Sequence, residues 1–417
     1  MFKDDRGRAL ARSEVICGLD IGTTKTAAII ASTAKDGPLD VIGFGVAPSL
    51  GLRKGVVTDL EETVKSIESA MESAERMAGL HVSDAFIGVT GEHIKSQNSH
   101  GIVAVSGDDR EVIPLDVKRV VDASTIISLP AERQLVHTLP RDYAVDGQNG
   151  ITDPVGMSGA RLEVNTHIVT AGSSFIANVL KCVHRAGIEP AGVIFDPLAA
   201  GAAVLLPEER TAGVVLLDIG GGTTDVAVYW GGGVYHTWTV PVGGNAITND
   251  IALGLKTSFG EAENIKRQYG TANVGADLGD ETFEVKALSG RTTRPAAKLF
   301  LRQIIVARMS EIFKIVRSNL AENCPPEVML AELVLTGGGA ELAGIDALAA
   351  DIFDLPARVG TPMHIGGLNE TLKHPAYAAA VGLALFGAKN DGAVQPARSN
   401  GKGVWTRVST WMSEVFG

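Results

Sequence analysis

The strongest constraint on the fold of this chain is an internal repeat. One segment, VICGLDIGTTKTAAII, begins at Val15, and a second, VVLLDIGGGTTDVAVYW, begins at Val214. Each contains an apolar strand that ends in Asp, a turn of Gly and Thr, and a further strand, which is the pattern of a β-hairpin. The copies are separated by roughly 200 residues, far more than the ~20 to 50 residues of a solenoid repeat. The repeat therefore predicts an α/β protein with two related halves.

Composition and charge exclude several classes of protein. Apolar residues make up 45% of the 417 residues and charged residues 20%, which is typical of a globular protein. The net charge of −11 argues against broad nucleic-acid binding, so we expect no nucleic-acid partner. Three well-separated cysteines give no disulfide framework and no zinc site. We see no signal peptide and no run of ~18 apolar residues, and we expect a protein of the cytoplasm.

The two Gly-rich turns have the chemistry of a phosphate site. Glycine lets backbone N–H groups approach a phosphate closely, and the neighbouring threonines and a lysine add further donors. Two facing hairpins would hold a triphosphate from both sides, with Asp20 and Asp218 binding the water ligands of Mg²⁺. A plain tight hairpin is the alternative for either turn alone, but the presence of two copies favours phosphate binding. The predicted contacts are Asp20, Gly22, Thr23, Thr24, Lys25, Asp218, Gly220, Gly221, Gly222, Thr223 and Thr224.

Two further segments are candidates for the rest of a nucleotide site. A third Gly-rich turn, residues 336–339, follows an apolar strand and would let a purine lie against bare backbone. A helical pattern places Glu263, Lys266 and Arg267 on one turn, where the carboxylate would accept from ribose hydroxyls and the cations would flank the base. The alternatives are a helix-entry loop for the first segment and a solvated helix face for the second.

The order of elements predicts an insertion in the first half. Residues 92–170 break the regular rhythm of strands and helices, and we interpret them as an inserted subdomain. Before them, Thr58 to Glu61 match a capping box, which predicts that a helix begins directly after Thr58. Later in the chain, we predict a long helix from Pro295 to Asn319 and a buried, Ala/Gly-rich helix from Ala376 to Ala388.

The end of the chain differs in character from the rest. Residues 388–403 are rich in Gly, Asn, Pro, Ser and Lys, which predicts a flexible linker. Residues 404–417 have apolar side chains at helical spacing, and a helix of about 21 Å is too short to cross a ~30 Å membrane core. We predict an amphipathic helix lying on an anionic membrane surface; the alternative is a helix that docks on the chain's own body or on a partner. The membrane-facing residues are Val404, Trp405, Val408, Trp411, Met412, Val415 and Phe416.

Four motifs in order, DIGTTK, FDPLAAG, DIGGGTTD and LTGGG, resemble those of the actin/Hsp70/sugar-kinase ATPase superfamily. Within it, the segments HTLPRDYAVDGQNGITDPVGMSGARLEV, VGGNAITNDIALGL and AENIKRQYG are similar to those of the FtsA family, the bacterial cell-division actin homologues. The resemblance covers nearly all of residues 14–387. It implies an actin-like ATPase fold, with two RNase H-like domains around a nucleotide cleft and an FtsA-type inserted subdomain.

The resemblance also implies a division of the chain into subdomains. The expected segments are subdomain 1A in residues 14–91, 171–207 and 363–387, the inserted subdomain 1C in 92–170, subdomain 2A in 208–245 and 308–362, subdomain 2B in 246–307, the linker in 388–403 and the membrane helix in 404–417. Adenosine contacts are implied at Glu263, Lys266, Gly338 and Gly339, and Gly244 and Gly337 are further predicted nucleotide-binding residues. Asp196, in FDPLAAG, stands where relatives often carry the residue that orients the attacking water. Many of them have Glu there, and a strand-end cap is the alternative role for Asp196.

The function implied by the resemblance is an ATP-binding, Mg²⁺-dependent protein with at most weak ATPase activity. Such a protein polymerises, tethers the FtsZ ring to the cytoplasmic face of the bacterial inner membrane at the division site, and recruits later division proteins. The acidic FtsZ C-terminal peptide would bind within residues 246–320, where a cationic cluster contains Arg294, Lys298, Arg302 and Arg308. The alternatives are a soluble sugar kinase or phosphatase of the same superfamily and a pilus-assembly actin homologue.

Overall fold

The computed structural model describes residues 14–33, 39–363, 365–367 and 369–389. None of the helices in these ranges has both the length and the hydropathy needed to cross a membrane. The strands are β1 (Glu14–Ile21), β2 (Lys25–Thr33), β3 (Leu39–Pro48), β4 (Leu52–Arg53), β5 (Val56–Val57), β6 (Asp84–Val89), β7 (Lys95–Ala104), β8 (Arg133–Val145), β9 (Gln148–Ile151), β10 (Arg161–Gly172), β11 (Glu189–Phe195), β12 (Val214–Ile219), β13 (Thr224–Trp230), β14 (Gly233–Val240), β15 (Thr282–Lys286), β16 (Thr293–Ala297), β17 (Glu332–Thr336), β18 (Ala357–Val359) and β19 (Ile365–Gly367). The α-helices are α1 (Leu60–Ala78), α2 (Pro114–Ser124), α3 (Ser173–Arg185), α4 (Asp196–Val204), α5 (Pro207–Ala212), α6 (Gly244–Gly254), α7 (Phe259–Tyr269), α8 (Lys298–Asn323), α9 (Ile345–Phe353), α10 (Asn369–Leu372) and α11 (Ala378–Lys389).

The two halves have the same sheet topology, as the internal repeat predicts. In the first half the strand order is β11-β6-β1-β2-β3-β19, and in the second it is β14-β13-β12-β17-β18. In each, a three-stranded antiparallel meander is extended by parallel strands on the side of its first strand. Each half has a large apolar core, and the core of the first half continues into β12 and β13 of the second through Leu216 and Tyr229.

The two predicted hairpins have turns of equal length. Ile21 pairs with Thr26 in the first hairpin, and Ile219 pairs with Thr224 in the second. Each turn is closed by a main-chain hydrogen bond, from Gly22 N to Lys25 O at 3.0 Å and from Gly220 N to Thr223 O at 2.9 Å. Thr224 is therefore the structural equivalent of Thr26.

The insertion in the first half forms a separate sheet with the strand order β7-β10-β8-β9. Helix α2 covers one face of this sheet, where Val120, Leu162 and Val164 belong to a small core of their own. The edge strand β7 contacts the edge strand β14 of the second half, where Ser96 Oγ donates to Thr237 O at 2.6 Å. The insertion therefore packs against both halves of the molecule.

The start of α1 corrects one prediction from the sequence. The residue that caps this helix is Asp59, whose side chain accepts from Glu62 N at 3.1 Å. The predicted cap, Thr58, instead donates its hydroxyl to Gly51 O at 3.1 Å. Threonine and aspartate are both good N-cap residues. Because the Thr58 hydroxyl is bonded to Gly51 O, Asp59 caps the helix.

The Ala/Gly-rich helix α11 is buried between α4 and β1 of the first half. Its composition allows close approach, because a Cβ added at Gly382 would lie 1.8 Å from Ala199 O. At its end, a Cβ on Gly387 would lie 2.4 Å from Ile16 Cγ2 and 2.6 Å from the Phe86 ring. The described part of the chain therefore ends on the first half.

Candidate nucleotide site

The two hairpin turns meet at a cavity of about 50 Å³ between the halves. The lining brings together most of the residues predicted for phosphate and metal binding. These are Asp20, Gly22, Thr23, Thr24, Lys25, Asp196, Asp218, Gly220, Gly221, Thr223, Gly337 and Gly338. The sequence reasoning did not include the other lining residues, which are Thr90, Asp225, Pro375, Ala376 and Ala379.

The turns are in direct contact with each other across this cavity. A Cβ at Gly221 would lie 2.2 Å from Thr24 Cγ2, and a Cβ at Gly222 would lie 2.5 Å from Thr23 Oγ1. Thr23 Oγ1 also accepts from Gly55 N at 2.9 Å, so its position is fixed from within its own half. Because a side chain at either glycine would hold the turns apart, this closed arrangement requires glycine at both positions.

Four carboxyl groups line the cavity: those of Asp20, Asp196 and Asp225 are buried, and that of Asp218 is partly exposed. Lys25 Nζ lies 3.9 Å from Asp20 Oδ2. Burial raises the pKa of Asp218 to about 7, and the neighbouring Asp225 and Asp20 carboxylates add to the shift. Burial also raises the pKa of Asp20, although Lys25 opposes this shift. The pKa of Asp196 is raised well above its ordinary value by burial and by the other three carboxylates. A bound cation would offset this accumulation of negative charge.

Asp196 begins α4 directly after β11, and its side chain is 5% exposed. Its Oδ1 atom has no hydrogen-bond partner in the structure. The neighbouring Phe195 N–H donates to His137 Nε2 at 2.9 Å, which fixes the end of β11 to the inserted sheet. Burial lowers the pKa of His137 to about 3, so the neutral ring is available to accept this bond.

Asp225 is a site residue that the sequence reasoning missed. It lies opposite Asp218 in the antiparallel register of β12 and β13. Burial raises its pKa to about 6, while hydrogen bonds from Thr239, Thr90 and Thr223 oppose the shift. The motif DIGGGTTD contains both carboxylates, and a four-residue turn between paired strands would have placed them side by side.

Contrary to the prediction, Thr224 does not contribute its hydroxyl to the cavity. It is fully buried, and its Oγ1 donates to Val242 O at 2.9 Å. This follows from the alternation of β13, where Thr224 and Asp225 point to opposite faces of the sheet. The hydroxyl that lines the cavity from the second turn belongs to Thr223.

Of the residues predicted for adenosine, Gly338 lines the cavity, whereas Glu263 and Lys266 lie beside the second turn and outside the lining. Lys266 Nζ pairs with Glu263 Oε2 at 2.7 Å and donates to Gly244 O at 3.1 Å. Gly244 N in turn donates to Gly220 O at 2.9 Å, which joins the start of α6 to the second turn. Gly222 and Gly339 are also absent from the lining, and a Cβ at Gly339 would lie 2.3 Å from Ile219 Cγ2.

The four predicted partner-binding cations are all engaged within the chain. Arg308 donates to Asp250 Oδ2 at 2.6 Å and to Glu311 Oε2 at 2.6 Å. Lys298 pairs with Glu281 at 2.7 Å. The guanidinium groups of the other two, Arg294 and Arg302, donate to main-chain carbonyl oxygens. The structure therefore does not present these residues as a free cationic cluster, because acidic residues and carbonyls distant in sequence pack against them.

The predicted linker and membrane helix, residues 388–403 and 404–417, fall almost entirely outside the described residues, apart from the last two residues of α11. Within the described ranges, no three His, Cys, Asp or Glu side chains are grouped so that they could hold a metal ion.

Two family models match this sequence. The model described as "Cell division protein FtsA" matches residues 215–382, and the model "SHS2 domain inserted in FTSA" matches residues 91–170. The cell division protein FtsA of Pseudomonas aeruginosa is 41% identical over 374 residues, which are 90% of this chain and 89% of the relative. The chain belongs to the FtsA family. The FtsA of Neisseria meningitidis serogroup B is 39% identical, with 95% and 98% of the two chains covered.

Solved structures show that this FtsA-family chain has an actin-like fold, as predicted. A chain of the PilM–PilN type IV pilus biogenesis complex matches with a TM-score of 0.63 and 19% identity, covering 89% of this chain and 98% of its own. MreB5 of Spiroplasma citri bound to ADP matches with a TM-score of 0.57 and 16% identity, covering 92% and 100%. The matches to solved structures show the fold alone. The sequence identity to FtsA proteins shows that the chain is an actin-like cell division protein. That membership excludes the pilus-assembly and sugar-kinase alternatives.

Proposed function

We propose that the cleft binds ATP with Mg²⁺ and that the nucleotide sets the state of a membrane tether for FtsZ. The observation that carries this proposal is the meeting of two Gly-rich hairpin turns at a cavity lined by buried carboxylates. Main-chain N–H groups of both turns, with Thr23, Thr24, Thr223 and Lys25, would hold the phosphates. The ADP-bound MreB5, which shares the fold, supports the assignment.

The residues present fit a hydrated Mg²⁺ ion. Mg²⁺ in nucleotide sites uses one or two carboxylates, phosphate oxygens and several waters, and does not require a cage of three acidic side chains. Asp20 and Asp218 supply two carboxylates at the cavity, and their pKa values are raised mainly by burial, a shift that a bound cation would oppose. When bound, the ion would neutralise charge on the phosphates.

We propose that hydrolysis of the nucleotide is slow. Asp196 is the candidate residue for orienting the attacking water, and an efficient general base must be ionised at the working pH. Burial is the largest cause of the raised pKa of Asp196, and it persists when a cation reduces the repulsion from the neighbouring carboxylates, so Asp196 would remain a poor base. On this proposal ATP acts mainly as a switch for assembly into actin-like filaments.

The tether itself is proposed to be the C-terminal segment, residues 404–417, acting on the cytoplasmic face of the inner membrane. It would recruit the FtsZ polymer and later division proteins to the division site. The test is co-sedimentation with anionic vesicles in Mg²⁺ and ATP, comparing the full chain with a chain stopped at Gly401. We expect only the full chain to pellet with lipid.

A matched pair of substitutions makes this test specific. Trp411→Glu lies on the predicted apolar face and should abolish sedimentation, whereas Thr410→Glu on the polar face should reduce it at most severalfold. Equal sedimentation of the full and shortened chains would place the lipid contact elsewhere and contradict the tether. Loss of binding by neither variant would contradict the predicted apolar face.

For the FtsZ C-terminal peptide, we propose a surface where α6 and α8 meet. Leu253 is 70% exposed and Phe300 is 43% exposed. A Cβ at the intervening Gly254 would lie 2.8 Å from Ile304 Cδ1 and 3.7 Å from the Phe300 ring, so the two helices are in contact here. Arg302 lies on the same helix as Phe300 and donates to main-chain carbonyl oxygens, so it would contribute positive potential, whereas Asp250 and Glu311 neutralise Arg308.

We predict that Phe300→Asp weakens binding of the acidic FtsZ peptide by at least about tenfold, because it removes an apolar anchor and adds a repelling charge. Ile126→Asp, a change at a more exposed apolar position (85%) on the inserted subdomain, is the control and should leave the affinity unchanged. Calorimetric or fluorescence titration of the peptide measures both. An affinity of Phe300→Asp equal to that of the unaltered chain would remove this surface from the proposal.

A further inference from the structure

One side-chain hydrogen bond joins the two halves at the floor of the cleft. Thr90 follows β6 in the first half, and its Oγ1 lies 2.6 Å from each carboxylate oxygen of Asp225 in the second half. Both residues are buried, with 8% and 3% of their surface exposed. A hydroxyl that donates to a buried carboxylate forms one of the stronger hydrogen bonds in proteins.

The same carboxylate is also held from within its own half. Thr239 Oγ1 on β14 donates to Asp225 Oδ1 at 2.6 Å, and Thr223 Oγ1 donates to Oδ2 at 3.1 Å. Thr223 belongs to the second Gly-rich turn, which lines the cavity. Asp225 therefore connects that turn to the opposite half of the molecule.

The duplicated fold provides an internal comparison for this arrangement. The residues of the first hairpin that are equivalent to Asp225 and its pairing partner Thr239 are Ala27 and Val46. In the first half, apolar side chains therefore occupy these two positions. Placing a carboxylate there costs desolvation free energy unless hydrogen bonds compensate, so packing alone does not account for Asp225.

We propose that Asp225 is a positioning residue that couples the second phosphate-binding turn to closure of the cleft through Thr90. The role of Asp225 in nucleotide exchange rests on the ATP binding proposed above. The two turns touch each other, Gly221 against Thr24 and Gly222 against Thr23, so a phosphate chain can enter between them or leave only when the halves separate. Separation breaks the bond from Thr90, while the bonds from Thr223 and Thr239 move with Asp225.

The bond from Thr90 therefore favours the closed form selectively, and its removal should shift the protein toward the open form. Bonds to charged groups are strong enough that losing one would raise the open population about tenfold or more. Amide groups near the cleft floor should then exchange faster, and bound ADP should be released faster.

The test compares three substitutions in the full chain. Thr90→Val removes the donor with little change of shape, and Thr90→Ser retains it. Thr239→Val removes a donor to the same carboxylate from within the second half. Hydrogen exchange without nucleotide is followed in residues 84–90 and 224–230, and release of a fluorescent ADP analogue is followed with Mg²⁺.

We expect Thr90→Val to raise exchange in both segments and to accelerate release about tenfold, and Thr90→Ser to behave like the unaltered chain. Thr239→Val should raise exchange in residues 224–230 while leaving residues 84–90 protected. If Thr90→Val leaves exchange unchanged, or if Thr239→Val exposes residues 84–90 to the same degree, the coupling is wrong. If the unaltered chain binds no nucleotide, the proposed function fails, and the exchange comparison still decides the role of Thr90.

Discussion

At the scale of single residues, the cleft is dominated by carboxyl groups that are costly to ionise. The ordinary pKa of an aspartate in an unfolded chain is about 3.9, whereas that of Asp218 in the folded chain is about 7. Between these values the folded chain holds a proton that the unfolded chain has lost. The free energy of unfolding therefore decreases as pH rises through this window, by up to about 1.4 kcal/mol per pH unit for one proton.

We predict that Asp218→Asn makes the protein more stable at pH 8 without Mg²⁺, because it removes the charge that folding disfavours. The advantage should shrink toward pH 4, where the carboxyl group of the unaltered chain is protonated in the fold. Urea unfolding of both proteins across this pH range measures the difference. Asp280→Asn, a change at an exposed position, is the control, and parallel pH profiles for all three chains would contradict the interpretation of Asp218.

At this scale, the sequence predicted which residues lie near the cavity better than it predicted where their side chains point. The two turns, their aspartates and the nearby Lys25 all lie at the cavity, because a strand end fixes where its last residue points. The direction of Thr224 depends on the length of the turn, which the motif alone does not define. The pairing of Arg308 with Asp250, 58 residues earlier, depends on how α6 packs against α8 and leaves no local signal.

At the scale of elements, close contact between helices and turns requires glycine at several of the 49 glycine positions of the chain. Helix α11 approaches α4 so closely that a Cβ at Gly382 would overlap Ala199 O. In contrast, a Cβ at Gly260 near the start of α7 would meet no atom within 4 Å. The two glycines lie in helices, yet the cost of a methyl group at each should be very different.

We predict that Gly382→Ala destabilises the protein by about 2 to 3 kcal/mol or more, because the backbone of two buried helices must separate. Gly260→Ala should be neutral or stabilising by up to about 1 kcal/mol, since alanine is the better helix former. Denaturant unfolding monitored by circular dichroism compares them. Equal stability of the two variants would mean that α11 can shift away from α4 without loss of packing.

At the scale of the whole molecule, the two halves share a topology but contribute different residues and surfaces to the proposed function. The first contributes Thr90, Asp196 and the helix from which the chain continues beyond the described residues, and the second contributes Asp225 and the proposed peptide surface. The repeat in the sequence was sufficient to predict the duplication. It could not predict how closed the cleft is, because that depends on contacts such as Gly222 with Thr23.

We predict that ATP stabilises the whole chain only when Mg²⁺ is present. A ligand at 100 times its dissociation constant adds about 2.7 kcal/mol to the free energy of unfolding, if it binds the folded state alone. Thermal unfolding with ATP and Mg²⁺ should show a clear upward shift, and ATP with a chelator should show little. A full shift without the divalent cation would argue against the metal role of Asp20 and Asp218.

The position of α11 has a mechanical consequence for the proposed tether. The chain leaves the first half after Gly387, beside β1 and β6, whereas the proposed FtsZ surface on α6 and α8 belongs to the second half. A force that pulls the FtsZ polymer away from the membrane would then be transmitted across the cleft and would pull its two halves apart. Tension along that line would oppose the Thr90–Asp225 bond and favour opening, so that the lifetime of a bound nucleotide would report the force on the ring.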